Sequence, residues 1–257
     1  MDRMTLADRL RLVTAALSLL AYWLAYALIM LPVSRLLPLV LPCQQARELG
    51  QSLMKKFFRG VVVLLRSFGV VECEYVGFER LHAQTGPLII APNHPSLWDA
   101  VFVVAEVDHA ACVLKASLMR NLFLHGGASS AGFIPNEPAH KMMRRCIELL
   151  RGNERLLFFP EGTRTRPEHG RMNPLTGGLA VIAKNSGAPV WPIIVQTSSR
   201  YLSKGWPIWR LPRGKIHLRL TVGEPVYYPQ DGEPQAFLDE LRARYIESGC
   251  GLQTPAV

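Results

Sequence analysis

The sequence predicts an α/β fold, a mostly parallel central sheet flanked by helices, preceded by an N-terminal membrane-docking helical hairpin. Three observations predict it. Residues 12 to 31, "LVTAALSLLAYWLAYALIML", run for twenty positions without a charge, long enough to cross a hydrocarbon core as a helix. Beyond Gly69, short apolar runs alternate with helical stretches, the pattern of a parallel sheet covered on both faces. Two polar clusters, "NHPSLWD" and "PEGTRT", directly follow buried-strand runs, and such sheets bind ligands beyond the carboxyl ends of their strands.

At the N-terminus, Pro32 and Pro38 with Arg35 between them interrupt the apolar run mildly. A second apolar segment, "KKFFRGVVVLLRSFGVV" from Lys55, carries Arg59 and Arg66 seven apart on nearly one face; it reads as an amphipathic helix lying at an interface. A signal peptide would use Arg3, Arg9 and Arg11 as its basic region and "AYA" at 25 to 27 as its cleavage site, but the apolar run continues past that point. A single spanning helix leaves basic residues on both sides of the membrane, against the positive-inside tendency. A hairpin that dips in and returns keeps Arg3, Arg9, Arg11, Lys55, Lys56 and Arg59 on one side, facing the anionic headgroups of the cytoplasmic leaflet. Tyr22, Trp23 and Tyr26 suit either a hairpin or a buried helix. Residues 1–68 are thus read as membrane-associated helices and 69–257 as the α/β domain.

Within the body, "VVECEYVGF" alternates with period two and reads as a strand; "GPLIIAPN" is a buried strand and "SLWDAVFVVAEV" a helix. "ACVLKA" is a strand leading into a helix and then the Gly/Ser-rich "HGGASSAG". "FIPN" is a short strand, "AHKMMRRCIELLRGN" a helix, and "RLLFFPEGTR" a strand running into a loop. "TGGLAVIAKNSG" is a helix stopped by Gly187. The strands "APVWPIIVQ" and "KIHLRLTVGEPV" and a helix near "PQAFLDELRARYIES" close the chain.

Composition narrows the function. The 49% hydrophobic and 19% charged content of 257 residues suits a membrane-associated globular protein, and the net charge of +9 suits an anionic partner. Five scattered cysteines lack any C-x-x-C, so neither a disulfide framework nor a zinc knuckle is implied. H-E-x-x-H, G-x-x-x-x-G-K-[ST] and G-x-G-x-x-G are all missing.

His94 and Asp99 are the candidates for chemistry. Five helical positions separate two side chains by about 140°, so a His94–Asp99 pair requires His94 to lie outside the helix. Pro95 supplies that condition, because a residue before proline is pushed towards extended backbone; the helix then starts near Pro95 or Ser96. A carboxylate on one ring nitrogen would fix the tautomer and leave the other as a base. The plainer alternative is a capping box, with Ser96 as cap, Asp99 returning to its backbone N–H, and His94 an ordinary loop residue. The two are compatible, since a capped first turn would hold Asp99 still. "FFPEGTRT" adds Glu161, Gly162, Thr163 and Arg164 in consecutive loop positions after a buried strand; glycine permits close approach and arginine offers a fork for phosphate or carboxylate.

"NHPSLWD" and "FPEGTRT" together resemble the two signature blocks of the glycerolipid acyltransferase family, which includes 1-acyl-glycerol-3-phosphate acyltransferases. "APVWPIIV" is similar to a later block of the family at Val190, Pro192 and Ile193. The resemblance spans roughly residues 70 to 225. It implies that His94 is the general base and Asp99 its orienting partner, taking the proton from an acceptor hydroxyl that attacks an acyl thioester, acyl-CoA or acyl-ACP, directly. It implies that Glu161, Gly162, Thr163 and Arg164 hold the acceptor's polar head, with Lys115 as helper. No metal, cofactor or covalent acyl-enzyme is implied beyond the thioester co-substrate. One block departs from the family's pattern: "GFIPNE" has Asn136 where a phosphate-binding arginine is usual, and an amide cannot replace that charge. A different hydroxylated acceptor gains weight accordingly, although Asn136 equally suits a turn after Pro135.

The stretch 198 to 215, with five basic residues, Tyr201, Trp206 and Trp209, suits the headgroup level of a membrane or an acidic acyl carrier protein; an ordinary surface loop is the alternative. No nucleic-acid module is recognisable. Among rival functions, "HGGA" at 125 to 128 suggests a serine hydrolase's oxyanion loop, but no G-x-S-x-G elbow accompanies it. A non-catalytic lipid-binding protein on the same fold is the other class.

Overall fold

The computed structural model describes residues 5–207, 210–212 and 214–253. Arg3, Trp209 and Arg213, invoked above for membrane or carrier contact, lie outside them. Two long helices come first, α1 (Leu6–Val40) and α2 (Cys43–Ser67). Thr5 opens α1 with a reciprocal capping box to Asp8, which satisfies two N-terminal N–H groups at once. The helix continues through Pro32 and Pro38 rather than breaking there.

Its far half is held by tertiary contact. At Gly126 a Cβ would meet the Met30 carbonyl at 2.6 Å, and at Gly50 one would meet Ser130 O at 2.3 Å, so glycine is what lets α1 and α2 lie against α6 (Leu122–Ser130). The "HGGA" segment is therefore a helix-packing surface inside α6, not an oxyanion loop, and "HGGASSAG" is largely helical. Tyr22 stacks on Phe57 and hydrogen-bonds to its carbonyl, while Tyr26 reaches Met54 three residues before Phe57. Rising positions on α1 thus meet falling positions on α2, an antiparallel hairpin.

The two limbs face different surroundings. Leu10, Leu17, Leu20, Leu24 and Leu28 of α1 are all exposed and share one face. In α2, which starts twelve residues before Lys55, the apolar face of Met54, Phe57, Phe58, Val61, Val62 and Leu65 is buried in the core. The expected interfacial lie of this second segment is corrected: protein, not an interface, covers its apolar side. Lys55 and Arg59 pair with Asp108 and Glu106 at the end of α4 (Asp99–Glu106) rather than standing free for headgroups.

The body follows in the order β1 (Val71–Val76), α3 (Phe78–His82), β2 (Leu88–Pro92), α4, β3 (Ala110–Leu114), α5 (Ala116–Met119), α6, β4 (Ile134–Pro135) and α7 (Ala139–Arg151). Then come β5 (Arg155–Leu157), α8 (Gly177–Ser186), β6 (Val190–Thr197), β7 (Ile216–Val222), α9 (Pro234–Glu247) and β8 (Gly251–Leu252). The sheet order is β1-β7-β6-β2-β5-β3-β4, with β8 on β6. All pairings are parallel except β6 with β7. The mostly parallel sheet is thus as expected, as is the helix that follows β3; α3 and β8 are additions too short to leave a periodic signal. Alternate β2 residues divide the core: Leu88 and Ile90 join the cluster under α2 and α4, Ile89 and Ala91 the one under α7, α8 and α9. This division puts the α1–α2 hairpin on one face and α9 on the other.

Candidate active site

Strand β2 stops at Pro92, and the next residue makes the stop rigid. Asn93 is fully buried; its side-chain amide donates to the Val195 carbonyl at 3.0 Å while its oxygen accepts the Val195 N–H at 2.6 Å. That continues the β2–β6 ladder by one side chain. Below it, the buried Tyr245 hydroxyl of α9 bonds the Ala91 carbonyl. His94 therefore leaves the sheet from a fixed point at its centre.

The helix starts at Asp99, later than the sequence suggested, so residues 93 to 98 form a separate turn. Within it the Asp99 carboxylate, with no exposed surface, accepts the Ser96 N–H at 2.7 Å and the Ser96 hydroxyl at 3.1 Å. Ser96 Oγ accepts the Trp98 N–H at 3.1 Å. Ser96 is not the helix cap, yet the return bond from its N–H to Asp99 is present. His94 Nδ1 lies 3.0 Å from Asp99 Oδ2. An ionised carboxylate only accepts, so Nδ1 carries the proton and Nε2 of the neutral ring is left with its lone pair. The imidazole keeps 15% of its surface exposed and lies against the Phe159 ring, centroids 4.3 Å apart.

The second cluster clamps the first. His94 N–H donates to Glu161 Oε1 at 2.7 Å, and the His94 carbonyl accepts the Thr165 N–H at 2.7 Å. Glu161 is buried and also accepts the Asn173 N–H at 2.8 Å and the Thr165 hydroxyl. Burial pushes its carboxyl above the usual range, against the pull of these hydrogen bonds. Gly162, at φ 65°, turns the chain immediately after Glu161.

Arg164 Nη1 donates to the carbonyls of Leu202 and Ser203 at 2.8 and 3.1 Å. The same Leu202 carbonyl accepts the Leu97 N–H at 3.1 Å, so one loop after β6 is tied to both signature clusters. Lys204 Nζ reaches Thr163 Oγ1 at 3.3 Å. This loop roofs the site, and Trp206 in it is held by the Arg210 carbonyl and guanidinium and by the edge of Tyr201.

Lys115 and Asn136 stand apart from this network, at the ends of β3 and β4. Asn136 N–H donates to the Leu114 carbonyl, and its side-chain oxygen accepts the Ala116 N–H, both at 2.9 Å. It therefore brackets Lys115 from either side and leaves that exposed ammonium at the rim. The structure gathers His94, Asp99 and Glu161, places Thr163 and Arg164 under the roof loop, and keeps Lys115 with Asn136. Asn93, Phe159, Thr165, Asn173 and Leu202 were not singled out from the sequence. Asn93 and Thr165 lie inside the quoted clusters, whereas Asn173 and Leu202 act through long-range contacts that no local spacing reveals.

Comparison with known proteins agrees with this architecture. Residues 73–196 match the Acyltransferase family. The chain is 25% identical over 202 residues to a chloroplastic 1-acyl-sn-glycerol-3-phosphate acyltransferase of Brassica napus, covering 76% of this chain and 56% of that protein. It is 24% identical over 173 residues to a 1-acyl-sn-glycerol-3-phosphate acyltransferase of Pseudomonas aeruginosa, covering 65% and 66%. The chain thus spans about half the length of the plant relatives it matches. In fold it is similar to the crystal structure of the 1-acyl-sn-glycerophosphate (LPA) acyltransferase from Thermotoga maritima, with TM-score 0.71, 21% identity, and coverage of 95% of this chain and 97% of that one. The two signature clusters fall inside the matched region on the sheet that the solved structure shares, and the comparisons together support a 1-acyl-sn-glycerol-3-phosphate acyltransferase-like family.

Proposed function

We propose that the protein is a membrane-associated O-acyltransferase. It moves a fatty acyl group from an acyl thioester, acyl-CoA or acyl-ACP, to a hydroxyl of a lysophospholipid-type acceptor, foremost 1-acyl-glycerol-3-phosphate, giving phosphatidic acid. The observation that carries the reading is the His94 Nδ1–Asp99 contact of 3.0 Å on a backbone held from both sides by Glu161 and Thr165.

In this reading His94 Nε2 takes the hydroxyl proton as the acceptor oxygen bonds to the thioester carbonyl carbon. The tetrahedral oxyanion collapses, the C–S bond breaks, and the thiolate leaves with the proton returned by His94. Asp99 steadies the imidazolium between the two transfers, and the chemistry needs no metal or further cofactor. Glu161 holds His94 in place from below the surface rather than touching the acceptor. Thr163, Arg164 and Lys115 are left to face its polar head, with Gly162 giving them room. The exposed leucine stripe of α1 suits the hydrocarbon edge of a cytoplasmic leaflet, with α1 as the limb of the hairpin that meets the leaflet and the body outside.

A different acceptor is favoured by one observation: the Asn136 side chain is engaged with Ala116 N–H and brings no positive charge to its position. The test is thioester consumption by the full chain in lipid vesicles, with acyl-CoA or acyl-ACP and a panel of lysolipids and other hydroxylated acceptors. His94→Ala is expected to lose about 10³-fold in turnover while still binding vesicles. Turnover unchanged in His94→Ala removes this histidine as the base, and no reaction with any pair leaves a lipid-binding protein.

A further inference from the structure

Beyond the His94 pair, on the face away from the hairpin, lies a cleft of about 230 Å³ that the acceptor residues do not share. It begins at Pro95, the residue after the catalytic histidine, and its walls include Thr165, Arg166, Arg171, Arg200 and Leu252. Three arginines from two loops line it, Arg166 and Arg171 from the segment between β5 and α8 and Arg200 from the loop after β6, and all three residues are exposed. Among the described residues their one carboxylate neighbour is Glu168, 3.9 Å from Arg166. Three like charges gathered with a single counter-charge still repel, and a multiply charged anion removes that repulsion.

The floor is built, not fortuitous. Asn173 Oδ1 accepts the Arg166 N–H at 3.0 Å, fixing where this arginine leaves the chain. Arg242 of α9 donates to the Met172 and Asn173 carbonyls, and the Arg171 carbonyl lies against Gly251 of β8 so closely that a Cβ there would meet it at 2.6 Å. These supports all belong to the α9 face of the sheet. In the acyl-transfer reading a lipid acceptor comes from the membrane that the exposed α1 stripe suits, and direct transfer needs the donor bound at the same time in a separate place. Both kinds of thioester donor carry a phosphopantetheine arm, and a coenzyme-A thioester ends that arm in a diphosphate and a further phosphate on a nucleotide.

We infer that the Arg166–Arg171–Arg200 cleft is the donor site for the phosphates of an acyl-CoA thioester. The inference rests on the acyl-transfer reading above, and it assigns that reading's donor. The planar forks of arginine suit phosphate oxygens better than lysine does. The cleft has room for phosphate groups and an open rim for the nucleotide.

The experiment compares the full chain with a variant carrying Arg166→Gln, Arg171→Gln and Arg200→Gln, and with one carrying lysine at all three positions. Calorimetric titration with CoA alone reads the site without turnover. Expected is a Kd for CoA raised by about tenfold or more in the glutamine variant, with partial recovery in the lysine variant. The KM for acyl-CoA should rise in parallel, while the KM for an acyl-pantetheine thioester lacking phosphates and the KM for the acceptor stay constant. An unchanged CoA Kd overturns the inference, as does an equal loss with acyl-pantetheine, which marks a structural role. A shift confined to the acceptor KM, or turnover with acyl-ACP and no CoA binding, overturns it as well. CoA binding that depends on the arginines in a chain that transfers no acyl group keeps the site and defeats the acyltransferase reading instead.

Discussion

The inner and outer halves of the candidate site are built to different standards. Around His94, Asp99 and Glu161 nearly every polar atom is buried and bonded, and the His94 backbone is held at both its N–H and its carbonyl. At the rim, Lys115 is exposed, and Asn136 spends its side chain on the neighbouring backbone. In the proposed function, the contrast separates the part that performs the chemistry from the part that chooses the substrate. A proton relay tolerates little displacement, so it is set in a saturated, low-dielectric network. A headgroup contact works at longer range through a flexible ammonium, and a change there alters affinity more than rate.

The largest expected effect comes from breaking the inner half at its carboxylate. Asp99→Asn would let the amide donate to Nδ1, favour the wrong tautomer, and cost about 10²–10⁴-fold in turnover with little change in KM; steady-state kinetics on both substrates checks it. Glu161→Ala comes next and sharpens the claim that this residue is a strut. It leaves the His94 and Asn173 N–H groups and the Thr165 hydroxyl without their acceptor. A loss of about 3 kcal/mol in denaturant unfolding is expected, with each buried donor contributing about 1–3 kcal/mol. Its titration follows from burial. The folded-state carboxyl pKa is raised above the ordinary value of 4.5. The folded chain therefore binds the proton more tightly, and the Glu161 contribution to stability declines as pH rises from 4.5 through the folded-state pKa. Glu161→Gln should flatten that decline in unfolding experiments run across the acidic range.

Arg164 lies at the boundary between the halves. Arg164→Lys keeps the charge but not the paired contacts to Leu202 and Ser203, so a roof-holding role is lost in both Arg164→Lys and Arg164→Gln. Roughly tenfold in kcat/KM is expected for each, with faster proteolysis of the 198–205 loop; full rescue by lysine would move Arg164 to the rim. The smallest effect belongs to Lys115→Gln. A rise of about threefold in KM for phosphate-bearing acceptors is expected, with kcat unchanged and no effect on acceptors lacking phosphate.

Much of this was legible in the chain itself. Alternating apolar runs predict the parallel sheet because a strand buried on both faces needs continuous apolar residues, and Pro95 predicts that His94 stands outside the helix. The start of that helix was misplaced because Ser96 has the chemistry of a cap but uses its hydroxyl on Asp99 and Trp98 instead. Glu161 read as a substrate contact because a carboxylate in a glycine-containing loop looks the same in sequence whether it faces the cleft or the core.

The α1–α2 hairpin shows the limit most clearly. Residue spacing determined that both segments are helical and apolar on at least one side. Only tertiary packing decided that α1 keeps its leucine stripe exposed while α2 buries Met54, Phe57 and Val61. The physical reason is that periodicity specifies a face but not its partner. The partner here is set by glycines far along the chain in α6 and by the end of α4, which a local pattern does not encode. In the same way, the sequence determined that His94 and Asp99 can meet, and tertiary structure decided what holds them there, because Glu161, Asn173 and Leu202 reach them only across the fold.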